Sequence, residues 1–157
     1  MNSERPKFIA DTMLLGLGKW LRFLGFFTTI PENFEAARRI LQNNPTQIFV
    51  TSSPNHFRQI TYSSSCLIKK NHIAEQLREI DDRYHIFQKV KLFSICSRCN
   101  LPVQLISRDE TLGQIPEAVT GSFEKFWKCP GCQRIYWQGG HIQRLLGKMQ
   151  RMGIPVM

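Results

Sequence analysis

The sequence lacks a long hydrophobic run, and its first residues lack the basic segment followed by an apolar segment that is typical of a secretory signal. Its apolar residues make up 42% of the 157, but they never reach the roughly 18 in succession that a membrane-spanning helix requires. The initial segment, MNSERPK, does not have the basic-then-apolar order of a secretory signal. We therefore expect no membrane contact and a cytoplasmic, reducing location, where cysteines remain thiols that can bind a metal.

Acidic residues are scarce in this chain. Twelve Asp and Glu stand against 21 Lys and Arg, which gives a formal net charge of +9. An excess of this size favours a polyanionic partner, and nucleic acid is the commonest one in the cytoplasm. A charge balance that only aids solubility is the alternative, so the charge alone does not decide the function.

Cysteines are few, but four of the five form two C-x-x-C pairs. Each pair allows one turn of backbone to present two thiolates to a single ion, and four thiolates saturate a tetrahedral zinc. Two disulfides or four unrelated buried thiols are the alternatives, yet paired C-x-x-C motifs without a secretory context favour a metal. We therefore predict a structural zinc bound by Cys96, Cys99, Cys129 and Cys132. The long interval between the pairs predicts an extra hairpin or loop.

Strand and helix signals alternate through the first part of the chain. Short apolar runs predict strands at 7–11, 28–31, 47–51 and 66–68. Apolar residues at helical spacing lie between and after these runs. The predicted helix termini are a C-cap at Gly25, N-caps at Asn33 and Asn71, and an N-cap at Ser53 followed by Pro54. This alternation predicts a small parallel α/β sheet flanked by helices.

The composition changes near residue 92. The following segment carries both cysteine pairs, an aromatic-rich stretch at 123–137 and a basic helix at 141–151, and no internal repeat is present. We therefore predict an α/β domain at 1–92, followed by a zinc ribbon with a C-terminal helix at 93–157.

Candidate catalytic residues follow from where parallel sheets bind ligands, which is beyond the carboxyl ends of their strands. Asp11 ends the first predicted strand and Glu32 follows the second, whereas the third ends at Thr51 and continues into Ser52-Ser53. A metal-dependent nuclease needs several carboxylates at this edge, because oxygen ligands must offset the charge of hard cations. The third position has only hydroxyls. Asp11 could also simply cap the first helix or pair with a nearby basic residue.

Basic residues suggest where a polyanion binds. Lys19 and Arg22 are three apart and share a helix face near Asp11, although a solvated face explains them almost as well. Arg144, Lys148 and Arg151 form a second stripe on the last predicted helix, and we regard this stripe as the better phosphate-binding candidate.

Aromatic residues interleave with basic ones around the second cysteine pair. This pattern suits single-stranded RNA, whose bases can stack on rings. The alternative is that these rings seal the small ribbon core. Trp20 is expected to pack in a core or against a helix, with base stacking as the alternative, and His56 and His141 receive no role from the sequence.

Three segments resemble one known family, the Mut-seven carboxy-terminal ribonuclease domains. KFIADTMLLGLGKWLRFLGF (7–26) is similar to the family's opening, in which a strand ends on Ala-Asp and a helix has a basic-Trp-Leu-Arg core and a closing Leu-Gly. HIAEQLREI (72–80) is similar to its Glu-Gln-Leu-Arg helix. FWKCPGCQRIYWQGGHIQRL (126–145) resembles its ribbon and tail.

This resemblance implies a PIN-like fold with an appended zinc ribbon, and a ribonuclease activity that depends on magnesium or manganese. Asp11 matches the family's first catalytic aspartate. After the second strand the family has an acidic cluster, for which Glu32, or less plausibly Glu35, could substitute. After the third strand the family has Thr-Arg-Asp, whereas this chain has Thr51-Ser52-Ser53, so the third carboxylate is missing. Two hypotheses follow: a weak ribonuclease in which Asp11 and Glu32 hold the metal, or an inactive module that binds RNA or a protein. The sequence predicts no oligomeric state.

Overall fold

Two β-sheets organise the chain. The computed structural model describes residues 4–155. The first sheet is wholly parallel, has the order β2-β1-β3-β4, and consists of β1 (Phe8–Ala10), β2 (Thr28–Thr29), β3 (Ile48–Thr51) and β4 (Ser65–Leu67). The second is antiparallel and consists, in spatial order, of β5 (Gln104–Ile106), β6 (Phe126–Lys128) and β7 (Ile135–Tyr136).

The described residues form six α-helices beside these sheets. They are α1 (Leu15–Phe23), α2 (Phe34–Asn43), α3 (Pro54–Gln59), α4 (Ile73–Tyr84), α5 (Glu117–Ser122) and α6 (Gly140–Arg151). Short 3₁₀ turns lie at Thr12–Leu14, Ile86–Lys89 and Asp109–Thr111. The predicted parallel sheet flanked by helices is confirmed. Within residues 4–155, no helix combines the length and hydrophobicity needed to cross a bilayer.

The parallel sheet is covered on both faces. Successive side chains of a strand point to opposite faces, and β1 shows this directly. Phe8 belongs to a buried cluster that includes Leu21 of α1 and Leu77 of α4, whereas Ile9 belongs to a second cluster with Leu41 of α2. The carboxyl ends of β1 and β3 are therefore held rigidly between two helical layers.

Two of the three predicted N-caps are confirmed. Asn33 Oδ1 accepts a hydrogen bond from the backbone N–H of Ala36 at 2.8 Å, and Ser53 Oγ accepts one from the N–H of His56 at 3.2 Å. Each bond satisfies an N–H group that has no partner within its helix. Local side-chain chemistry thus sets where α2 and α3 begin.

The predicted N-cap at Asn71 is wrong. Helix α4 begins at Ile73, and His72 occupies the N-cap position without a side-chain hydrogen bond. The carboxylate of Glu79, which comes from the second turn of the same helix, accepts from the backbone N–H groups of Lys69 and Lys70. Glu79 therefore fixes the segment that precedes α4, and Asn71 is not needed as a cap.

The glycine that ends α1 is predicted to tolerate no side chain. Gly25 has φ +91, and a Cβ there would lie 2.1 Å from the carbonyl oxygen of Lys91 and 2.5 Å from Ser94 Oγ. We expect Gly25→Ala to lower the free energy of unfolding by at least about 2 kcal/mol, because a backbone clash adds to the strain of positive φ. Urea denaturation measures this loss.

Gly113→Ala is the matched control for that measurement. Gly113 also has positive φ, at +76, but a Cβ there meets nothing within 4 Å. Its substitution isolates the conformational strain, which we expect to cost about 1 kcal/mol. Equal losses in the two variants would contradict the close approach of Lys91 to α1.

The predicted extra hairpin or loop between the two cysteine pairs is present, because β5 and β6 pair antiparallel across a long connection. This connection runs from β5 to β6 and contains the 3₁₀ turn Asp109–Thr111 and α5. The last helix returns toward the first sheet, since Met149 and Ile154 are buried in the cluster that contains Phe8. The domain boundary near residue 92 stays a prediction.

Candidate functional site

The cysteine pairs form two knuckles with matching backbone hydrogen bonds. In the first, the N–H of Cys96 donates to the carbonyl of Leu101 at 2.8 Å, and the N–H of Asn100 donates to the carbonyl of Cys96 at 2.9 Å. Cys129 repeats this pattern with the carbonyl of Arg134 and the N–H of Gln133, each at 3.0 Å. Asn100 and Gln133 both have positive φ, at 62 and 64. Each knuckle thus turns sharply just after its second cysteine.

The four thiols fit a tetrahedral metal. The ligand atoms of Cys96, Cys99, Cys129 and Cys132 all lie within 4.8 Å of one another. The Sγ atoms of Cys96 and Cys132 are 3.8 Å apart, which is about the edge of a tetrahedron with zinc–sulfur bonds of about 2.3 Å. A disulfide would require about 2.05 Å, and all of these cysteines are free. The structure therefore provides a cysteine tetrad that can bind zinc.

The pKa values of two of these thiols are shifted by burial and by the groups packed close to them, including the other thiols. Burial raises the pKa of Cys96, but hydrogen bonds from Tyr136 and from nearby backbone N–H groups more than offset this effect, and its pKa is about 7. A hydrogen bond with Cys132, assisted by burial, raises the pKa of Cys99 to about 12. Thiols at this separation cannot all ionise without a cation, and zinc would supply one.

Two side chains join the first knuckle to the edge of the parallel sheet. Asn100 Oδ1 accepts from the N–H of Thr28 at 2.8 Å, and Arg22 Nε donates to the carbonyl of Thr28 at 2.8 Å. Arg22 Nη1 also donates to the carbonyls of Ser97 and Arg98, at 3.0 and 3.3 Å. Burial lowers the pKa of Arg22, while the thiols of Cys96 and Cys99 oppose this lowering. Arg22 thus holds two parts of the fold together.

Asp11 lies at the carboxyl end of β1 and is fully buried. Its Oδ1 accepts from the N–H of Thr12 at 2.9 Å. Its Oδ2 accepts from the hydroxyl of Thr51 and from Nδ1–H of His56, both at 2.6 Å. Since a carboxylate only accepts hydrogen bonds, His56 must be the donor. Both oxygens of Asp11 are therefore engaged by protein groups.

His56 is the site residue that sequence reasoning missed. It lies in the first turn of α3, where the Ser53 cap directs it toward the end of β1. Its ring stacks on Phe34 with centroids 3.8 Å apart and an interplanar angle of 2°. The available signal was the Ser53-Pro54 helix start directly after the third strand, because it places the first helical turn at the sheet edge.

The predicted partner carboxylate of Asp11 does not complete a metal centre. Glu32 and Ser52 are exposed. Among the residues that the structure describes, the cysteine tetrad is the single group of three or more Cys, His, Asp or Glu that could share an ion. A hard cation such as magnesium requires several oxygen ligands. No such group forms around Asp11 within residues 4–155, and the catalytic role of Asp11 and Glu32 stays a prediction.

The predicted basic residues fall on separate surfaces. Lys19 is exposed on α1. Arg144, Lys148 and Arg151 are exposed along α6, whereas Met149 of the same helix is buried. The stripe on α6 thus faces solvent, with its apolar side against the protein.

Comparison with known proteins places these features in context. The model of the family described as "Mut7-C RNAse domain" matches residues 6–149, which cover both sheets and nearly all of α6. No curated protein matches significantly.

Proposed function

Because the chain belongs to the Mut7-C RNAse domain family, we propose that it binds single-stranded RNA and that its Asp11 centre supports little or no metal-dependent cleavage. The scaffold is nuclease-like, but the carboxylate set at its active edge is eroded. The zinc bound by the tetrad is structural, since four thiolates leave no open position for a substrate.

The observation that carries this proposal is the engagement of Asp11. Its Oδ2 accepts hydrogen bonds from Thr51 and His56 at 2.6 Å each, and the side chain is fully buried. A cation would have to displace one of these bonds or reach the buried Oδ1, which accepts from Thr12, and it would find hydroxyls at Ser52 and Ser53 where it needs negative charge. Hydroxyls can contact such an ion but cannot neutralise it.

The charge distribution supports RNA as the partner. The net charge of +9 favours a polyanion, and the exposed stripe of Arg144, Lys148 and Arg151 can follow a phosphate backbone. Lys19 is the basic residue of α1 that remains exposed. Arg22 is left out of this RNA surface, because its guanidinium is committed to backbone carbonyls.

Residual ribonuclease activity is the second candidate function. Asp11 is retained at the carboxyl end of β1, next to β3 in the centre of the sheet, where parallel sheets bind their ligands. Glu32 follows the neighbouring strand β2. If RNA binding displaced His56, these two carboxylates would be the residues that hold a metal, whose role in such enzymes is to activate water and offset charge on the phosphate.

A cleavage and binding assay separates the two functions. Zinc-loaded protein is incubated with labelled single-stranded RNA and manganese, beside Asp11→Asn and a reaction without manganese. We expect RNA retention in a gel shift and no cleavage above that of Asp11→Asn. A sample with EDTA is informative only if zinc analysis shows that the tetrad keeps its metal.

The α6 stripe provides the binding control. Replacing Arg144, Lys148 and Arg151 with Gln should reduce the salt dependence of log K by about 2 if all three contact phosphates. The matched control replaces Arg39, Lys69 and Lys70 with Gln, which removes three exposed charges elsewhere on the surface. This control should change the salt dependence of log K little. Cleavage that requires both manganese and Asp11 would contradict the proposal that the Asp11 centre is inactive. Failure to retain RNA at low salt would contradict the proposed RNA binding.

A further inference from the structure

A groove lies between α1, the zinc ribbon and the start of α6. We define it by Lys19, Trp20, Phe93, Arg134, Tyr136 and His141, and its volume is about 350 Å³. Small-ligand cavities measure about 300–1,000 Å³, so the groove is of a size for one nucleotide or a similar group. None of these residues is among the hydrogen-bond partners of Asp11, and we treat the groove as a second site.

The lining combines rings with positive charge. Trp20, Phe93 and Tyr136 supply aromatic surface, while Lys19 and Arg134 supply cations. The guanidinium of Arg134 lies 5.5 Å from the ring centroid of Tyr136. No acidic side chain is among the described residues that line the groove. This set of groups complements a ligand that is both flat and anionic.

The walls of the groove are fixed by packing. Trp20 meets Phe23 edge to face, with centroids 5.6 Å apart, and Phe93 stacks on Trp127 at 4.5 Å with an interplanar angle of 6°. Phe93 also has φ +56, a conformation that is costly for a bulky residue. Such strain persists only where the surrounding structure imposes it, and it is concentrated at functional sites. The rings are thus held in place before any ligand arrives.

We propose that this groove binds one nucleotide of a single-stranded RNA, with the base against the aromatic wall and the adjacent phosphate on Lys19 and Arg134. Occupancy of the groove presupposes the RNA binding proposed above, and it adds the place where a base is held. The α6 stripe, which shares its helix with His141, would then hold phosphates of the same strand. Binding here requires neither a catalytic metal nor Asp11.

Fluorescence anisotropy with a uridine oligomer of about ten nucleotides tests the charged side of the groove. Lys19→Gln combined with Arg134→Gln should weaken binding by about tenfold at low salt and reduce the salt slope of log K by about 0.7, as expected for one lost phosphate contact on a single strand. Lys69→Gln combined with Lys70→Gln is the control, since it removes two exposed charges outside the groove. We expect this control to change affinity less than about twofold.

A second measurement tests the base. Trp20→Leu should weaken binding by about tenfold through lost stacking, and 4-thiouridine in the oligomer should crosslink to peptides that contain Trp20, Phe93 or Tyr136. If circular dichroism and zinc content show that Trp20→Leu does not fold, the crosslinks and the charge variants alone test whether RNA occupies the groove. A polyglutamate of equal length should compete poorly, because it offers charge without bases.

The outcomes separate this site from the general RNA binding. The groove proposal would be overturned if the wild-type protein retains RNA, the groove variants behave like the Lys69 and Lys70 control, and the crosslinks map elsewhere. RNA binding itself would then stand. Polyglutamate that competes as well as RNA would also overturn base recognition. Wild-type protein that retains no RNA would overturn the proposed function itself.

Discussion

Cys129→Ser is expected to abolish stoichiometric zinc binding and to unfold the ribbon. Cys129 is fully buried within the tetrad, and structural zinc contributes about 10–16 kcal/mol of binding free energy in zinc-finger peptides at neutral pH. The ribbon sheet has only three short strands, so little apolar burial replaces that contribution. Zinc analysis by mass spectrometry measures the loss, and amide resonances of 93–137 should lose their dispersion.

The damage should extend to the edge of the parallel sheet. Strand β2 relies on the first knuckle, because Asn100 accepts from the N–H of Thr28, and Arg22 connects Thr28 to Ser97. We therefore expect faster hydrogen exchange at Thr28 and Thr29 in the Cys129→Ser variant. Loss of zinc without any change at β2 would contradict this mechanical connection.

Cys66→Ala is the matched control. Cys66 is the fifth cysteine, lies buried in β4 outside the tetrad, and has a pKa raised by burial. Its substitution removes a buried thiol but should leave the zinc content unchanged. Unchanged zinc content in Cys129→Ser, or zinc loss in Cys66→Ala, would contradict the assignment of the tetrad as the metal site.

Asp11→Ala is expected to lower the free energy of unfolding by about 3 kcal/mol. The side chain is fully buried and bonds to Thr12, Thr51 and His56. Removing it leaves donors without an acceptor, and each unsatisfied buried group costs about 1–3 kcal/mol. The imidazole also loses the carboxylate that orients its ring against Phe34. Urea denaturation measures this change.

Glu32→Ala is the control for Asp11, because its side chain is exposed on the adjacent strand connection. We expect its effect to stay within about 0.5 kcal/mol. A carboxylate kept for catalysis alone often costs stability, so its removal would stabilise the protein. An Asp11→Ala variant as stable as the wild type would therefore contradict the anchoring role and favour the residual nuclease.

Much of the fold could be predicted from local chemistry. The caps at Asn33 and Ser53, the stop at Gly25 and the buried run at 48–51 each depend on residues that are close in the sequence. The predicted cap at Asn71 failed because Glu79, ten residues beyond Lys69, supplies the hydrogen bonds instead. Contacts of this kind depend on how a helix lies, and no local pattern reveals them.

The candidate site divides in the same way. The cysteine tetrad was predictable because C-x-x-C spacing alone brings two thiolates together, and two such pairs supply the four ligands of a tetrahedral zinc. The partners of Asp11 were not, since Thr51 and His56 are 40 and 45 residues away and meet it only through the pairing of β1 with β3. The same holds for the groove, whose rings come from α1, the ribbon and α6.

The sequence by itself determined the class of sheet, the four cysteines that can bind a metal, and the excess of positive charge. These are properties of residue type and of spacing within one turn or strand, where the backbone leaves few alternatives. Only the tertiary structure decided that Asp11 is an engaged, buried acceptor, that Arg22 joins the knuckle to β2, and that aromatic and basic side chains form a groove. Each of these depends on which distant segments pack together, and packing is set by the burial of the whole core rather than by any one segment.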